Sequence, residues 1–132
     1  MTIREIQHSD LSQLLELYSF LHSNTIPLQN SEIEGIWNDI LNDPNHHIIV
    51  GLVNDIIISS CVLIIVPNLT HKQRPYALIE NVITHPEHRA KGYATKLLDC
   101  AKKKYKAKTL SNVEKDYLES IKLLEQKGKQ QN

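Results

Sequence analysis

Ile79-Glu80-Asn81-Val82-Ile83-Thr84-His85-Pro86-Glu87-His88-Arg89-Ala90-Lys91-Gly92-Tyr93-Ala94-Thr95-Lys96-Leu97-Leu98 is the stretch from which the rest of the chain can be read. An apolar run ends in a Pro-broken turn, a basic loop with one glycine follows, and the loop feeds straight into an amphipathic helix. The first N–H groups of a helix have no intrahelical partner and sit at the positive end of its dipole, so such a junction can cradle an anion, a phosphate above all. Gly92 permits a tight turn and close backbone approach, Arg89 and Lys91 bring positive charge to the rim, and small Ala94 lets the helix begin near a bound group. An ordinary strand-to-helix turn with solvated basic residues fits the same spacing, because one glycine alone is a weak signal.

The stretch resembles the acetyl-CoA-binding motif of the GNAT superfamily of N-acetyltransferases: Arg or Gln, two residues, Gly, one residue, then Gly or Ala, preceded by a strand and a Pro. Arg89, Gly92 and Ala94 fill the motif positions. The resemblance implies an N-acetyltransferase that moves an acetyl group from acetyl-CoA, its co-substrate, to a primary amine of a small molecule or peptide. By the same resemblance, Arg89, Ala90, Lys91, Gly92, Tyr93 and Ala94, with Thr95 beside them, would hold the pyrophosphate. The main-chain N–H of Val82 would face the thioester oxygen, and Ile83 and Thr84 would grip the pantetheine arm through their backbone.

Glu80 is the candidate general base. It interrupts an apolar strand two residues before Val82, so strict alternation puts both on one face, and burial there would raise its pKa into a useful range. A structural carboxylate paired with a Lys or His is the competing reading. Members of the resembled family commonly carry a Tyr in the run Asn-Phe-Tyr-Glu-Lys-x-Gly-Phe as the acid for the departing thiolate. Here the matching run is Lys122-Leu123-Leu124-Glu125-Gln126-Lys127-Gly128-Lys129, with Leu124 in the Tyr place. A CoA thiolate can leave without an acid near neutral pH, so this departure implies slower transfer rather than none.

The remainder of the chain fits one domain. Residues 2–7 read as a first strand. A stripe of Leu11, Leu14, Leu15, Tyr18 and Leu21, capped by Ser9 or Asp10, reads as a helix. Ser31 with Glu34 forms a capping-box pattern for a second helix, whose Ile33, Ile36, Trp37, Ile40 and Leu41 share a face before Asp43-Pro44 ends it. In the resembled family the region between these two helices shapes the acceptor site.

Residues 46–53 and 56–66 are β-branched runs joined by Asn54-Asp55, which is hairpin chemistry, and both are apolar enough to be covered on two faces. A polar loop leads to a strand over residues 76–84. A helix over residues 95–104, a poor strand over 105–110 and a last helix over about 113–127 complete the expected order. The fold class is therefore α/β: a GNAT-like, mostly antiparallel mixed sheet flanked by helices, in the order strand, helix, helix, three strands, helix, strand, helix. Residues 1–132 form a single acyltransferase-like domain that diverges from residue 105 onward. The resembled family usually adds two further strands, and these final strands are absent from the expected order.

That difference leaves a second reading, a catalytically weak or inactive acyl-CoA-binding or interaction protein of GNAT fold. Its open sheet edge would pair with another chain, a homodimer being the simplest case. The formal net charge is zero but divides into −6 through Ala90 and +6 from Lys91 onward, a polarity that suits an anionic co-substrate and a cationic acceptor. No stretch approaches a membrane span and residues 1–10 lack the pattern of a signal peptide, so the expected location is cytoplasmic, with no membrane partner. Cys61 and Cys100 read as small apolar residues rather than a disulfide or zinc site. His46-His47 and His85-x-x-His88 flank a strand and a turn, which argues against a metal. The lysines of residues 102–108 sit where a helix end favours cations, which weighs against nucleic acid as a partner.

Overall fold

The computed structural model describes residues 1–21 and 25–109. Within them four strands, Thr2–Glu5 (β1), His46–Val53 (β2), Ile56–Val66 (β3) and Tyr76–Thr84 (β4), form one antiparallel sheet in that spatial order. The β2–β3 hairpin turns at Asn54 and Asp55, whose φ values of 52° and 62° supply the left-handed pair that a two-residue hairpin needs. Both strands are almost wholly buried, as their continuous apolar runs require.

Helices α1 (Leu11–Tyr18) and α2 (Ser31–Asn42) cover one face of the sheet, and α3 (Tyr93–Thr109) covers the other. Leu14, Leu17 and Trp37 pack on Ile48, Val50, Val62 and Ile83 beneath the first pair. Leu97 and Ala101 of α3 pack on Ile49, Cys61, Leu63 and Ile65. Two long-range bonds fix the helices in place: the Trp37 indole N–H donates to the His8 carbonyl at 3.1 Å, and the Ile57 N–H donates to the Gln13 side chain at 2.9 Å.

Three local expectations are corrected. The helix over residues 95–104 and the strand over 105–110 are replaced, through Thr109, by one continuous helix. Leu97, Ala101, Tyr105 and Thr109 recur four apart, so the buried stripe runs on through a segment of strong helix formers. The Tyr105 hydroxyl donates to the Pro75 carbonyl at 2.5 Å and the Thr109 hydroxyl to the Tyr105 carbonyl at 2.9 Å.

The cap of α2 is Asn30, whose Oδ1 accepts the Ile33 N–H at 3.0 Å, one residue ahead of the expected Ser31. The first helix ends at Tyr18 rather than Leu21, and the Asp10 carboxylate does not cap it. That carboxylate faces backward, accepting the Gln7 N–H at 2.7 Å and both Arg4 terminal nitrogens at 2.7 and 3.1 Å. Leu110, at the end of the expected strand, the last helix expected over about 113–127, and Leu124 lie outside the described residues.

Candidate functional site

The β3–β4 ladder is interrupted where the sequence stretch begins. Ser60 pairs with Ile83 and Val62 with Glu80, so the single residue Cys61 stands against two, Asn81 and Val82. This is a β-bulge, and Asn81 takes the positive φ of 49° that accompanies it. The register leaves Asn81 and Val82 outside the regular ladder, which is where a strand can offer main-chain N–H groups to a ligand.

The bulge also breaks the alternation assumed for Glu80. Directly opposed residues of an antiparallel pair share a face, so Glu80 lies with Val62 on the α1–α2 side. Val82 instead lines a cavity of about 350 Å³ at the start of α3. Glu80 is exposed, not buried, because β4 has only β3 beside it among the described residues. The burial expected of Glu80 is thus corrected, while its position beside the bulge stands.

Beyond Thr84 the chain turns through Pro86–His88, a short 3-10 turn capped by His85, whose Nδ1 accepts the Glu87 N–H at 3.1 Å. Arg89 Nε donates to the Thr84 carbonyl at 3.1 Å, which ties the loop back to the strand end. Ala90 and Gly92 both have positive φ, 61° and 78°, so the backbone coils left-handed twice before α3 begins. A Cβ built on Gly92 would meet nothing within 4 Å, so the glycine is favoured by its backbone angle and not by a close neighbour.

The cavity that results is walled by Val82, Ile83 and Thr84 on the strand side and by Arg89, Ala90 and the residues 92–95 on the loop and helix side. Every expected co-substrate residue lines it except Lys91. His88 lines it too, unforeseen from the sequence, and its Nδ1 is buried with no hydrogen-bond partner among the described residues. An orphaned ring nitrogen beside unpaired helix N–H groups suits a ligand rich in phosphate oxygens. A chain of edge-on ring contacts, Phe20 to His85 at 4.8 Å and His85 to His88 at 5.8 Å, holds that imidazole in place.

A second cavity, about 320 Å³, lies between α1, α2 and the sheet. Leu11, Leu14, Leu15 and Tyr18 wall it from α1, and Ile33, Ile36, Trp37 and Ile40 from α2. Its floor is Ile48 and Val62, with Asn81 of the bulge at one corner. The Tyr18 hydroxyl is buried beside Ser60 and Asn81, and burial pushes its pKa up. The sequence marks Tyr18 only as part of a packing stripe and gives Ser60 and Asn81 no role; the adjacent polar pair Glu80-Asn81 inside an apolar strand is the available signal for a bulge.

Elsewhere, the Cys61 thiol is pushed up to about 11 by burial, which fits an inert core residue. Among the described residues no group of three or more His, Cys, Asp or Glu side chains could hold a metal ion, and no helix is long and apolar enough to cross a membrane.

The profile of the acetyltransferase (GNAT) family matches residues 11–128. Among solved structures, a protein of Agrobacterium tumefaciens described as an acetyltransferase is 34% identical, covering 81% of this chain and 74% of its own, with a TM-score of 0.75. A transcriptional regulator of Bacillus halodurans is 25% identical over 96% of this chain and 91% of its own, with a TM-score of 0.72. Glucosamine-6-phosphate N-acetyltransferase of Arabidopsis thaliana, 20% identical over 82% of this chain and 76% of its own, shares the fold with a TM-score of 0.73. No match is found among curated protein sequences.

Proposed function

This chain belongs to the acetyltransferase (GNAT) family, and we propose that it is an N-acetyltransferase that carries an acetyl group from acetyl-CoA to a primary amine. One observation carries the reading: two cavities, one suited to phosphate and one to an organic group, both reach the Asn81–Val82 bulge.

Acetyl-CoA supplies an activated acyl group on a thiolate leaving group. The N–H groups at the start of α3, the Arg89 guanidinium and the His88 ring would hold its pyrophosphate. Ile83 and Thr84 would bind the pantetheine arm through their backbone. The N–H of Val82 would stabilise negative charge on the acyl oxygen, because a main-chain donor fixed by a bulge needs no reorganisation during the reaction. Glu80, exposed and on the α1–α2 side, would take the proton of the incoming ammonium through water rather than from a dry pocket. Amine-dependent release of free thiol from acetyl-CoA tests the proposal; a broad amine panel that releases none would overturn it.

A second role is favoured by Tyr76, Leu78 and Ile79, which expose apolar surface on β4, a strand at the edge of the sheet among the described residues. Pairing of that edge with a second copy of the chain would cover them. Light scattering that shows a monomer at high protein concentration would remove this role.

A further inference from the structure

We infer that the cavity between α1 and α2 takes a primary monoamine whose body is hydrocarbon, an alkyl- or arylalkylamine, and that this is the acceptor. The inference rests on the transfer reading and names its second substrate. The cavity's volume of about 320 Å³ falls at the small end of the ~300–1,000 Å³ common for small-molecule sites, so the guest is small.

The chemistry of the lining selects the guest. Leu, Ile, Trp, Val and Pro side chains make up most of the wall, and among the described residues Tyr18, His46 and Asn81 are its only polar members, with no Asp, Glu, Lys or Arg contributing. A polyamine would bury a second ammonium with no carboxylate among the described lining residues to receive it, and an amino sugar would strip water from several hydroxyls with few partners in return. A hydrocarbon body loses nothing on entering.

The polar members also give such a guest a direction. Tyr18 presents its buried hydroxyl beside Ser60 and Asn81, at the bulge, so an amine nitrogen placed there has oxygen acceptors and the hydrocarbon body extends along α2 toward Ile36. Glu80 lies across the ladder from the lining residue Val62, on the same face, where a single ammonium can be balanced. Ile36 is 53% exposed at the outer wall, an apolar side chain that the described residues leave uncovered.

Two readouts on the full chain test this. Trp37 is the sole tryptophan and lines the cavity, so its emission reports occupancy without turnover. Ethylamine, hexylamine, 2-phenylethylamine, spermidine and glucosamine are titrated, and thiol release from acetyl-CoA is measured with each. Each buried methylene is worth roughly fourfold, so hexylamine should exceed ethylamine on the order of a hundredfold in both readouts. Ile36→Ser, at an exposed position, should weaken hexylamine several-fold. Saturable emission changes with hexylamine but no thiol release from any amine would uphold the apolar-amine site and overturn the transfer reading instead. A preference for spermidine or glucosamine, or a flat response across the panel, would overturn the inference while thiol release kept the transfer reading.

Discussion

Asn81 and Val82 are consecutive residues that line different cavities, Asn81 the apolar one under α1 and α2, Val82 the one at the start of α3. The bulge makes this possible, because it takes two residues out of strict alternation and lets one short segment face two cavities. Asn is suited to the φ of 49° that the bulge imposes. Asn81→Val should therefore cost about 1–2 kcal/mol of stability and slow transfer, whereas Asn81→Gly should keep the stability within a few tenths. Urea unfolding of the two variants distinguishes them.

Gly92 at φ 78° faces open space, so a side chain there is opposed by backbone strain and by occupation of the co-substrate cavity, not by a neighbouring atom. Gly92→Val should lower the melting temperature modestly. It should also abolish most of the further rise in melting temperature that acetyl-CoA gives the unmodified chain, since binding to the native state stabilises by mass action. Thermal shift with and without acetyl-CoA measures both effects.

Glu80 is exposed beside the bulge. Glu80→Gln removes a proton acceptor while keeping the shape of the side chain, so turnover should fall by roughly 10²-fold or more with acetyl-CoA affinity little changed. Equal losses in acetyl-CoA binding and turnover would instead identify Glu80 as a structural carboxylate.

The Arg4 hydrogen bonds hold the Asp10 carboxyl below its ordinary range, against a smaller opposing effect of burial. A carboxylate whose folded pKa is depressed contributes stability above its unfolded value, near 4, and loses it as pH falls through the folded value. Glu5 acts in the same direction: burial opposes its charge, but hydrogen bonds from His47 and Lys104 prevail. Stability should thus be level above about pH 5 and fall below about pH 4. Asp10→Asn should flatten part of that fall. Asp10→Ala should cost about 2 kcal/mol at pH 7, less than a fully buried pair because the Arg4 side chain is 28% exposed. Denaturant melts from pH 3 to 7 provide the comparison.

Local chemistry was the legible part of the sequence. Asn54-Asp55 between two β-branched runs determines a hairpin wherever it occurs, and the bounds of β2, β3 and β4 follow from their apolar runs. The loop from Arg89 to the helix was legible for the same reason, since glycine, proline and charge act within a few residues. Glu80 was not, because alternation is a rule for regular strands and the Glu80-Asn81 pair marks its interruption. The extent of α3 was hidden by lysines: its exposed face is so polar that Leu97, Ala101, Tyr105 and Thr109 form only a thin stripe. The α1–α2 cavity could not be read at all, because an apolar stripe that packs and one that lines a pocket look the same in sequence.

A site for acetyl-CoA formed by the bulge of β4 and the loop into α3 requires that the chain bind it without an acceptor present. Isothermal titration of the full chain with acetyl-CoA tests it most directly. Saturable heat is expected, with one site per chain, suppressed by prior addition of CoA; no heat at high micromolar acetyl-CoA would rule the site out.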